Sequence, residues 1–363
     1  MWSDNIALFA PFIIAVVTTS VLIPLWITVC TKWKLLDKPD ERKHHTSGTP
    51  SMGGLAIFAG IFISFFIFSA DYEFGKLKFI LGASFLLFFT GFFDDLLGIT
   101  PQKKFIMQVI ASIIVMTGGI RITNLYGVCG FHEIPLLIQY PITLLAIIMF
   151  INAYNFIDGI DGLAATLGII SSAIFGFLFF KYGQYNFALL CFCLTGALLG
   201  FLFFNFHPAK IFMGDTGSLV IGLIIVTCAI DLLSVNNISG SEHAAAPPAL
   251  IFSVLFIPVY DFIRVITIRI LNGESTHKPD RNHIHHMILQ QGFGHFGAVI
   301  ILISLNMAII AMYYVFSNMN INGFILVSIC TSVISVNTFV MQRLAALRNK
   351  FFGEIKKSAD AAE

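Results

Sequence analysis

The feature that most constrains this chain is a succession of apolar segments, each about 20 residues long, separated by short polar loops. A transmembrane helix needs roughly 20 predominantly apolar residues. Of the 363 residues, 57% are hydrophobic and only 11% are charged, whereas soluble domains carry about 25% charged residues. The sequence therefore predicts an all-α, polytopic integral membrane protein.

Eleven segments meet this length criterion, and we predict one transmembrane helix for each. The fourth is the weakest, because it is short and ends in Gly118-Gly119. The predicted spans lie near residues 6–30, 52–70, 77–93, 105–120, 134–151, 163–180, 187–204, 217–233, 249–268, 297–316 and 321–341. We predict a single membrane domain over residues 1–342, followed by a basic tail over residues 343–363.

The distribution of basic residues predicts the orientation of these spans. Seventeen of the 21 lysines and arginines fall in one alternating set of loops and the tail, whereas the other set holds four: Lys76, Lys78, Arg121 and Lys181. Basic loops stay on the cytoplasmic side. We therefore expect the N-terminus outside and the C-terminus in the cytoplasm, which requires an odd number of spans. The net charge of +1 gives no indication of nucleic-acid binding.

The cysteines and the first apolar run say little about chemistry. Most of the six cysteines lie inside apolar runs, so the sequence predicts no disulfide framework. The first run lacks a preceding basic segment and is long enough to span, so we interpret it as a retained anchor.

The stretch N-A-Y-N-F-I-D-G-I-D-G, residues 152–162, lies directly between two predicted spans. Asn152, Asn155, Asp158 and Asp161 recur every three residues, which keeps neighbouring members on roughly one face of a helix. Uncompensated acids at a membrane surface are costly and usually functional. The alternative is a polar hinge, which explains the glycines but not four oxygen-bearing side chains in register. The stretch predicts a site for a cation or for a ligand that brings one.

Asp94 and Asp95 stand where the third predicted span leaves the membrane. Adjacent carboxylates both stay ionised only when a cation or a lysine is near. Lys103 and Lys104 follow and could act as counter-ions or as phosphate contacts. The alternative is a pair at a helix end that is solvated by the cytoplasm.

Gly214-Asp215-Thr216-Gly217-Ser218 opens the eighth predicted span. At a helix start the backbone N–H groups can face a ligand. For an isolated motif of this kind, a plain N-cap role for Asp215 is the favoured interpretation. Beside the other acids, Asp215 becomes a candidate for Mg²⁺, which takes oxygen ligands and is usually shared with substrate phosphates.

His283-Ile284-His285-His286, with Arg281 just before it, lies in the largest predicted cytoplasmic loop. Three histidines suggest Zn²⁺, but zinc sites more often use i, i+4 pairs or cysteine partners, and no cysteine lies nearby. A loop that binds polyanions fits the added basic residues better, and an exposed basic loop is the alternative. Asp261 and Arg264, in the ninth predicted span, are interpreted as a buried structural pair.

All of these motifs fall on the predicted cytoplasmic side, whereas the external loops are poor in ionisable groups. A cation-coupled secondary transporter, the alternative from a different class, would place its charges at mid-membrane in two related halves. The sequence shows no such repeat. One-sided clustering favours an enzyme that meets a soluble substrate at the membrane surface.

Taken together, the four motifs resemble those of the polyprenyl-phosphate N-acetylhexosamine-1-phosphate transferases, glycosyltransferase family 4. The resemblance runs from about Asp37 to Phe296 and is strongest to the bacterial branch that joins N-acetylglucosamine 1-phosphate to undecaprenyl phosphate. In the related phospho-N-acetylmuramoyl-pentapeptide transferases, ten spans and H-H-H are typical. Eleven spans and H-I-H-H point away from them. One departure is that no further acid follows Asp94-Asp95.

The resemblance implies a reaction. A sugar 1-phosphate, expected to be GlcNAc-1-phosphate from UDP-GlcNAc, passes to undecaprenyl phosphate on the cytoplasmic face of the bacterial inner membrane. UMP leaves, and the product begins a lipid-linked polymer such as lipopolysaccharide or cell wall. Another UDP-aminosugar or phospho-MurNAc-pentapeptide is the alternative. Phosphoryl transfer requires mainly positioning and charge neutralisation, which suits cation-binding acids and phosphate-binding bases.

The resemblance also implies roles for twelve residues, a metal and partners. The metal is Mg²⁺, with Mn²⁺ as an alternative, and the partners are a UDP-sugar, undecaprenyl phosphate and the membrane, without nucleic acid and with a homodimer left open. The expected catalytic residues are Asp94, Asp95, Asp158 and Asp161. The expected metal ligands are Asp215 and Asn155. The expected substrate-binding residues are Lys104, Asn152, Arg281, His283, His285 and His286.

Overall fold

The computed structural model describes residues 4–33, 35–37, 49–70, 73–128, 131–235, 248–273 and 283–317. These residues form twelve helices and four short strands. The helices are α1 Asp4–Trp33, α2 Gly53–Phe68, α3 Leu77–Leu97, α4 Pro101–Thr117, α5 Leu136–Ile157, α6 Leu163–Lys181, α7 Tyr185–Asn205, α8 Gly214–Val235, α9 Pro248–Val254, α10 Phe256–Leu271, α11 Ile284–Gln290 and α12 His295–Ser317.

Seven of the described helices are long and apolar enough to cross a membrane, or eight if α9 and α10 together form one span. The chain is therefore a multi-pass membrane protein. Ten of the eleven predicted segments coincide with described helices, although α2 has only 16 residues and α4 only 17. The eleventh segment, 321–341, and the tail, 343–363, lie outside the described residues. Eleven spans and the orientation stay predictions.

Two small hairpins depart from a purely helical fold. The strand β1, Leu36–Asp37, pairs antiparallel with β2, Thr49–Pro50. The strand β3, Asn124–Val128, pairs antiparallel with β4, Phe131–Glu133. Both hairpins lie in connections between long helices, so the membrane part remains all-α.

The ninth predicted span is wrong as a continuous helix, because the chain bends by 75° between α9 and α10. Pro258 lies in the first turn of α10 and has no N–H to donate to the carbonyl four residues earlier, that of Val254. The amide of Asn306 in α12 instead donates to the Val254 carbonyl at 3.4 Å. A proline that removes one helical bond thus lies one turn after the break.

Helix α8 forms the centre of the bundle, and almost all of its residues are buried. It approaches α2 and α3 so closely that only glycine fits at two contacts. A Cβ on Gly54 would lie 2.7 Å from the Cα of Gly217, and a Cβ on Gly91 would lie 2.5 Å from the backbone carbon of Asp215. The start of α8 is therefore fixed between two neighbouring helices.

The antiparallel order of the helices brings the polar motifs to one end of the bundle, which we call the site end. The helix ends that meet there are the last turns of α3, α5 and α7 and the first turns of α4, α6, α8 and α12. Asp94 contacts Lys104 at this end, and Asp161 contacts His207. The described motifs therefore lie at one end of the bundle, and the side of the membrane that this end faces stays a prediction. At the opposite, far end, Lys76 pairs with Asp231 at 2.7 Å.

Candidate active site

The segment before α8 is held by backbone pairing with the segment before α2. Phe212 N donates to Pro50 O at 2.7 Å, and the N–H groups of Gly53 and Gly54 donate to the Phe212 and Met213 carbonyls at 2.9 and 2.8 Å. Gly214 follows with φ +70°, a conformation that favours glycine. The position of the next residue, Asp215, is thus set by main-chain contacts.

Asp95 caps the N-terminus of α8. Its Oδ1 accepts a hydrogen bond from Asp215 N at 2.9 Å, and its Oδ2 accepts from Thr216 N at 3.0 Å and Thr216 Oγ1 at 2.5 Å. A carboxylate there also interacts favourably with the helix dipole. The structure differs from the expectation that these N–H groups face a ligand or that Asp215 is the N-cap. The cap comes from α3, so the side chain of Asp215 does not cap its own helix.

Lys104 connects Asp94 with Asp215. Its Nζ lies 2.8 Å from Asp94 Oδ2 and also forms an ion pair with Asp215 Oδ2. Burial lowers the pKa of Lys104, but the nearby charges of Asp215 and Asp94 outweigh burial and hold that pKa above its ordinary value. Ile99 N donates to Asp94 Oδ1 at 2.9 Å. Lys104 is therefore a firmly charged cation between two carboxylates.

Two of the predicted amides have different environments. Asn155 Nδ2 donates to Asp215 Oδ1 at 2.9 Å and to Ser218 Oγ at 2.7 Å. Asn152 instead exchanges hydrogen bonds of 2.7 and 3.3 Å with Gln108 of α4. Asn155 therefore orients the side chain of Asp215, whereas Asn152 joins α5 to α4.

Asp158 follows the last residue of α5 and accepts a hydrogen bond from the backbone N–H of Gly214. Desolvation raises the pKa of Asp158 well above its usual value, and the negative charges of Asp215 and Asp95 raise it further. Asp158 thus lies beside the acidic group around Asp215 and carries its proton more readily than an ordinary aspartate.

The carboxylates of Asp94, Asp95 and Asp215 form one group, which we call the acidic cluster. One oxygen from each lies within 4.8 Å of the others, so the cluster could hold a metal ion. Hard divalent cations prefer such oxygen ligands. The ammonium group of Lys104 already lies between two members, which shows that this position favours positive charge. The donor set therefore fits a divalent cation.

Asp161 belongs to a different group of contacts. Its Oδ2 lies 2.8 Å from His207 Nδ1, 3.1 Å from Ala209 N and 3.8 Å from His295 Nδ1. The next residue, Gly162, donates its N–H to Asn205 Oδ1 at 2.9 Å. Asp161 thus holds the connection between α7 and α8. Sequence reasoning missed His207 and His295; the position of His207, eight residues before Asp215, was the available signal.

The histidine motif lies in the short helix α11 and not in an open loop. Asp261 caps this helix, because Asp261 Oδ1 accepts from Ile284 N and Oδ2 lies near His283 Nδ1, both at 2.8 Å. The predicted contact of Asp261 with Arg264 is longer, 3.6 Å. His283 is therefore the nearer partner of Asp261.

The ring centroids of His285 and His286 lie 4.3 Å apart, and the two ring planes are tilted by 48°. Burial, followed by the neighbouring His286, lowers the pKa of His285 to about 3, so its ring is neutral at physiological pH. It touches the Asn152–Gly162 stretch, where a Cβ on Gly159 would lie 2.6 Å from His285 Nε2. Two predicted motifs are thus brought together. Arg281 lies outside the described residues.

The fold and the acidic cluster define a multi-pass membrane protein with a site suited to a divalent cation and to phosphate groups. Comparison with known proteins gives the family. Residues 77–233 match the model of glycosyl transferase family 4, and residues 47–58 match signature 1 of the phospho-N-acetylmuramoyl-pentapeptide transferases. The chain belongs to glycosyl transferase family 4 and is a phosphoglycosyl transferase.

Curated relatives cover most of the chain. A probable undecaprenyl-phosphate N-acetylglucosaminyl 1-phosphate transferase of Bacillus subtilis (strain 168) is 31% identical over 307 residues, covering 82% of this chain and 81% of the relative. The undecaprenyl-phosphate alpha-N-acetylglucosaminyl 1-phosphate transferase of Yersinia pestis is 32% identical over 290 residues, or 78% and 77%. That of Escherichia coli (strain K12) is 32% identical over 271 residues, or 73% and 72%. These matches confirm the resemblance inferred from the four motifs.

Proposed function

We propose that this enzyme transfers GlcNAc-1-phosphate from UDP-GlcNAc to undecaprenyl phosphate and releases UMP. The observation that carries the proposal is the position of Lys104 between Asp94 and Asp215. Asp95 adds a third carboxylate to the same cluster. One lysine does not neutralise three carboxylates, and the remaining negative charge suits a divalent cation shared with a diphosphate. The names of the relatives supply the sugar and the lipid.

In this proposal the acidic cluster holds Mg²⁺, with Mn²⁺ as the alternative. Asp215 and Asp94 would supply oxygen ligands, whereas Asn155 supports Asp215 by a hydrogen bond and Asp95 fixes its backbone. A bound divalent cation neutralises charge on the diphosphate as the transition state forms. Asn155 acts here through the ligand, which differs from the direct ligation expected from the sequence.

The protein side chains position phosphates and manage charge. Lys104 can exchange one carboxylate for a phosphate oxygen, because an ammonium group binds either. Asp94 faces the incoming lipid phosphate and can hold its proton, although a phosphomonoester with a second pKa of about 6 is already largely dianionic at neutral pH. An oxygen of the lipid phosphate forms a bond to the sugar-linked phosphorus as the bond to UMP breaks. One phosphoanhydride replaces another.

The remaining predicted residues are assigned to the surroundings of the nucleotide sugar. The neutral His285 lies against Gly159 and contacts His286, and Asp158 accepts a hydrogen bond from Gly214 N. His283 acts through the cap that Asp261 makes on α11. Asn152 supports the site by joining α4 to α5, and Asp161 by holding the α7–α8 connection. Arg281 is proposed as a phosphate contact on the basis of its sequence position.

We further propose eleven spans with the site end facing the cytoplasm of a bacterial inner membrane. The positive-inside distribution of lysine and arginine supports this orientation. The lipid-linked product would then begin a cell-surface polysaccharide such as lipopolysaccharide.

The test is UMP release by the purified protein with undecaprenyl phosphate and a panel of UDP-aminosugars. We expect release that requires the lipid, stops in EDTA and returns with Mg²⁺, and that is fastest with UDP-GlcNAc. The signature at residues 47–58 makes UDP-MurNAc-pentapeptide the second candidate substrate, so it belongs in the panel. Faster release from the pentapeptide would overturn the sugar assignment. Counterflow of a nucleotide sugar in liposomes without UMP release would indicate the transporter alternative.

A further inference from the structure

A buried amide lies in the middle of α12, on a face of the helix that is otherwise apolar. Asn306 is fully buried, and the side chains one turn away on the same face are hydrophobic and buried as well: Leu302, Ile309 and Ile310. Burying an amide in apolar surroundings costs free energy unless a hydrogen bond compensates. A polar side chain inside a membrane span is therefore expected to have a function.

The amide of Asn306 faces the break between α9 and α10. Pro258 has no N–H, and a proline ring crowds the carbonyl four residues earlier, here that of Val254. Asn306 Nδ2 donates to this carbonyl at 3.4 Å, whereas Asn306 Oδ1 has no hydrogen-bond partner among the described residues. An amide that leaves its oxygen unpaired is less favourable than leucine for packing alone. Its advantage at this position is the N–H group that it offers to Val254.

The direction that α10 takes after the break determines where the histidine motif lies. Asp261, in the second turn of α10, caps α11 through the 2.8 Å hydrogen bond from Ile284 N. Helix α11 carries His285, which lies against Gly159 in the connection between α5 and α6. With a rise of about 1.5 Å per residue, a change of about 10° in the bend would move Asp261 by about 1.5 Å and the end of α10 by about 4 Å. The bend therefore controls how closely α11 approaches that connection.

We propose that Asn306 is a positioning residue for the transfer reaction. By holding the Val254 carbonyl it fixes the bend between α9 and α10, and the bend in turn holds α11 and His285 in place. The inference rests on the proposed function, in which His285 belongs to the surroundings of the nucleotide sugar. Asn306 itself lies about three turns, roughly 16 Å, along α12 from the site end, so it acts through α10 and not on the substrate.

The first experiment measures the bend without catalysis. It uses the full-length protein in detergent, with its six cysteines replaced by alanine and spin labels attached at Leu137→Cys, near the start of α5, and at Leu271→Cys, at the end of α10. Both positions are exposed. Pulsed electron paramagnetic resonance gives the distance between the labels. We expect Asn306→Leu to shift this distance, or to broaden its distribution, by about 4 Å or more. Ser304→Leu, at an exposed position of α12, should leave it unchanged.

The second experiment tests whether Asn306 acts through the Val254 carbonyl. In a Pro258→Ala background, the N–H of residue 258 can donate to that carbonyl. Asn306→Leu should therefore lower the melting temperature when Pro258 is present and lower it much less in the Pro258→Ala background. Equal losses in the two backgrounds would overturn the proposal. Asn306→Ala, which adds no bulk, replaces the leucine variant in all experiments if the latter does not fold.

The third experiment measures UMP release by Asn306→Leu. We expect the KM for the UDP-sugar to rise roughly 10-fold or more, because a small displacement of α11 misplaces its contacts. The KM for undecaprenyl phosphate and the Mg²⁺ requirement should stay the same, since Asp94 and Asp215 lie on α3 and α8. Equal changes in all three, or an unchanged label distance and width in the folded variant, would overturn the positioning role. Absence of UMP release by the unmodified protein would refute the proposed function instead, and the label distances would still test the bend.

Discussion

The two ends of α8 each carry an aspartate with a lysine partner, but they differ in the ratio of acidic to basic side chains. At the far end, Asp231 is buried and pairs with Lys76 at 2.7 Å, one charge against one. At the site end, Lys104 serves both Asp94 and Asp215, and Asp95 completes the acidic cluster. The same helix therefore carries a closed ion pair at one end and an excess of negative charge at the other.

This difference shows why pairing alone does not identify a functional acid. A buried acid with one matched cation is a structural element whose removal mainly affects stability. An excess of acids that the fold itself holds together favours the binding of a cation. At the site end, the excess of negative charge is held in place because the N-terminus of α8 is fixed. Asp95 caps that N-terminus, and the glycine contacts of α8 hold it against α2 and α3.

The largest effect is expected from Asp215→Asn, which removes one charge of the excess without changing side-chain size. We expect turnover to fall on the order of 10³-fold, because a preorganised electrostatic group is lost from the site of charge development. UMP release at saturating Mg²⁺ measures this loss, and the melting temperature should stay near that of the unmodified protein. Turnover near the unmodified rate would remove Asp215 from the site.

Lys104→Met should increase the excess of negative charge at the site end, because it removes the positive charge that lies between Asp94 and Asp215. We expect turnover to fall on the order of 10²-fold, because a phosphate contact is lost. The variant should also gain more thermal stability from added Mg²⁺ than the unmodified protein does, since two carboxylates lose their cation. Melting curves with and without Mg²⁺ measure this, and Lys104→Arg is the matched control. A smaller Mg²⁺ effect in the methionine variant would contradict a cation site there.

Asp95→Ala should act through the helix start rather than on the substrate. Loss of the cap should cost about 1–2 kcal/mol of stability, and the apparent Mg²⁺ affinity should weaken because Asp215 is less well positioned. Denaturant unfolding and a Mg²⁺ titration of turnover measure the two effects. Asp95→Asn keeps an acceptor oxygen for one N–H and should be milder on both. An asparagine variant as damaged as alanine would indicate that the charge of Asp95 has a direct role.

Lys76→Met, at the far end, should leave turnover per folded molecule unchanged. It leaves Asp231 buried without its partner, and we expect a stability loss of about 1–3 kcal/mol, less than for a fully buried pair because Lys76 is partly exposed. The double variant Lys76→Met/Asp231→Leu should recover most of that stability. Denaturant unfolding and UMP release are measured together. A loss of turnover here would show that the two ends of α8 are coupled.

Most of the helices could be predicted because apolar length is a strong signal, and even the weak fourth segment is helical as α4. The break at Leu255 could not be predicted from apolar length, since α9 and α10 read as one hydrophobic run. Pro258 was the local hint, yet prolines also occur inside the helices α1 and α5. Whether a proline breaks a helix depends on what else satisfies the freed carbonyl, here Asn306 from a distant segment.

The site was predictable by residue type but less so by role. The spacing of Asn155, Asp158 and Asp161 predicted one face of a helix. This was wrong, because α5 ends at Ile157 and the three side chains have different partners. The capping of α8 by Asp95 could not be predicted from the sequence, because Asp95 and Asp215 are 120 residues apart in the chain. Asp231 was also missed, although an acid inside an apolar run is a signal in itself.

The glycine contacts of α8 have a consequence for inhibitors. A Cβ at Gly54 or Gly91 would meet the backbone of the turn that carries Asp215, so even alanine disturbs the fold at these positions. A drug that binds against this turn would contact main-chain atoms that small substitutions at these positions cannot rearrange. Resistance would have to arise from more distant parts of the binding surface, such as α11, where side chains rather than main chain form the contacts.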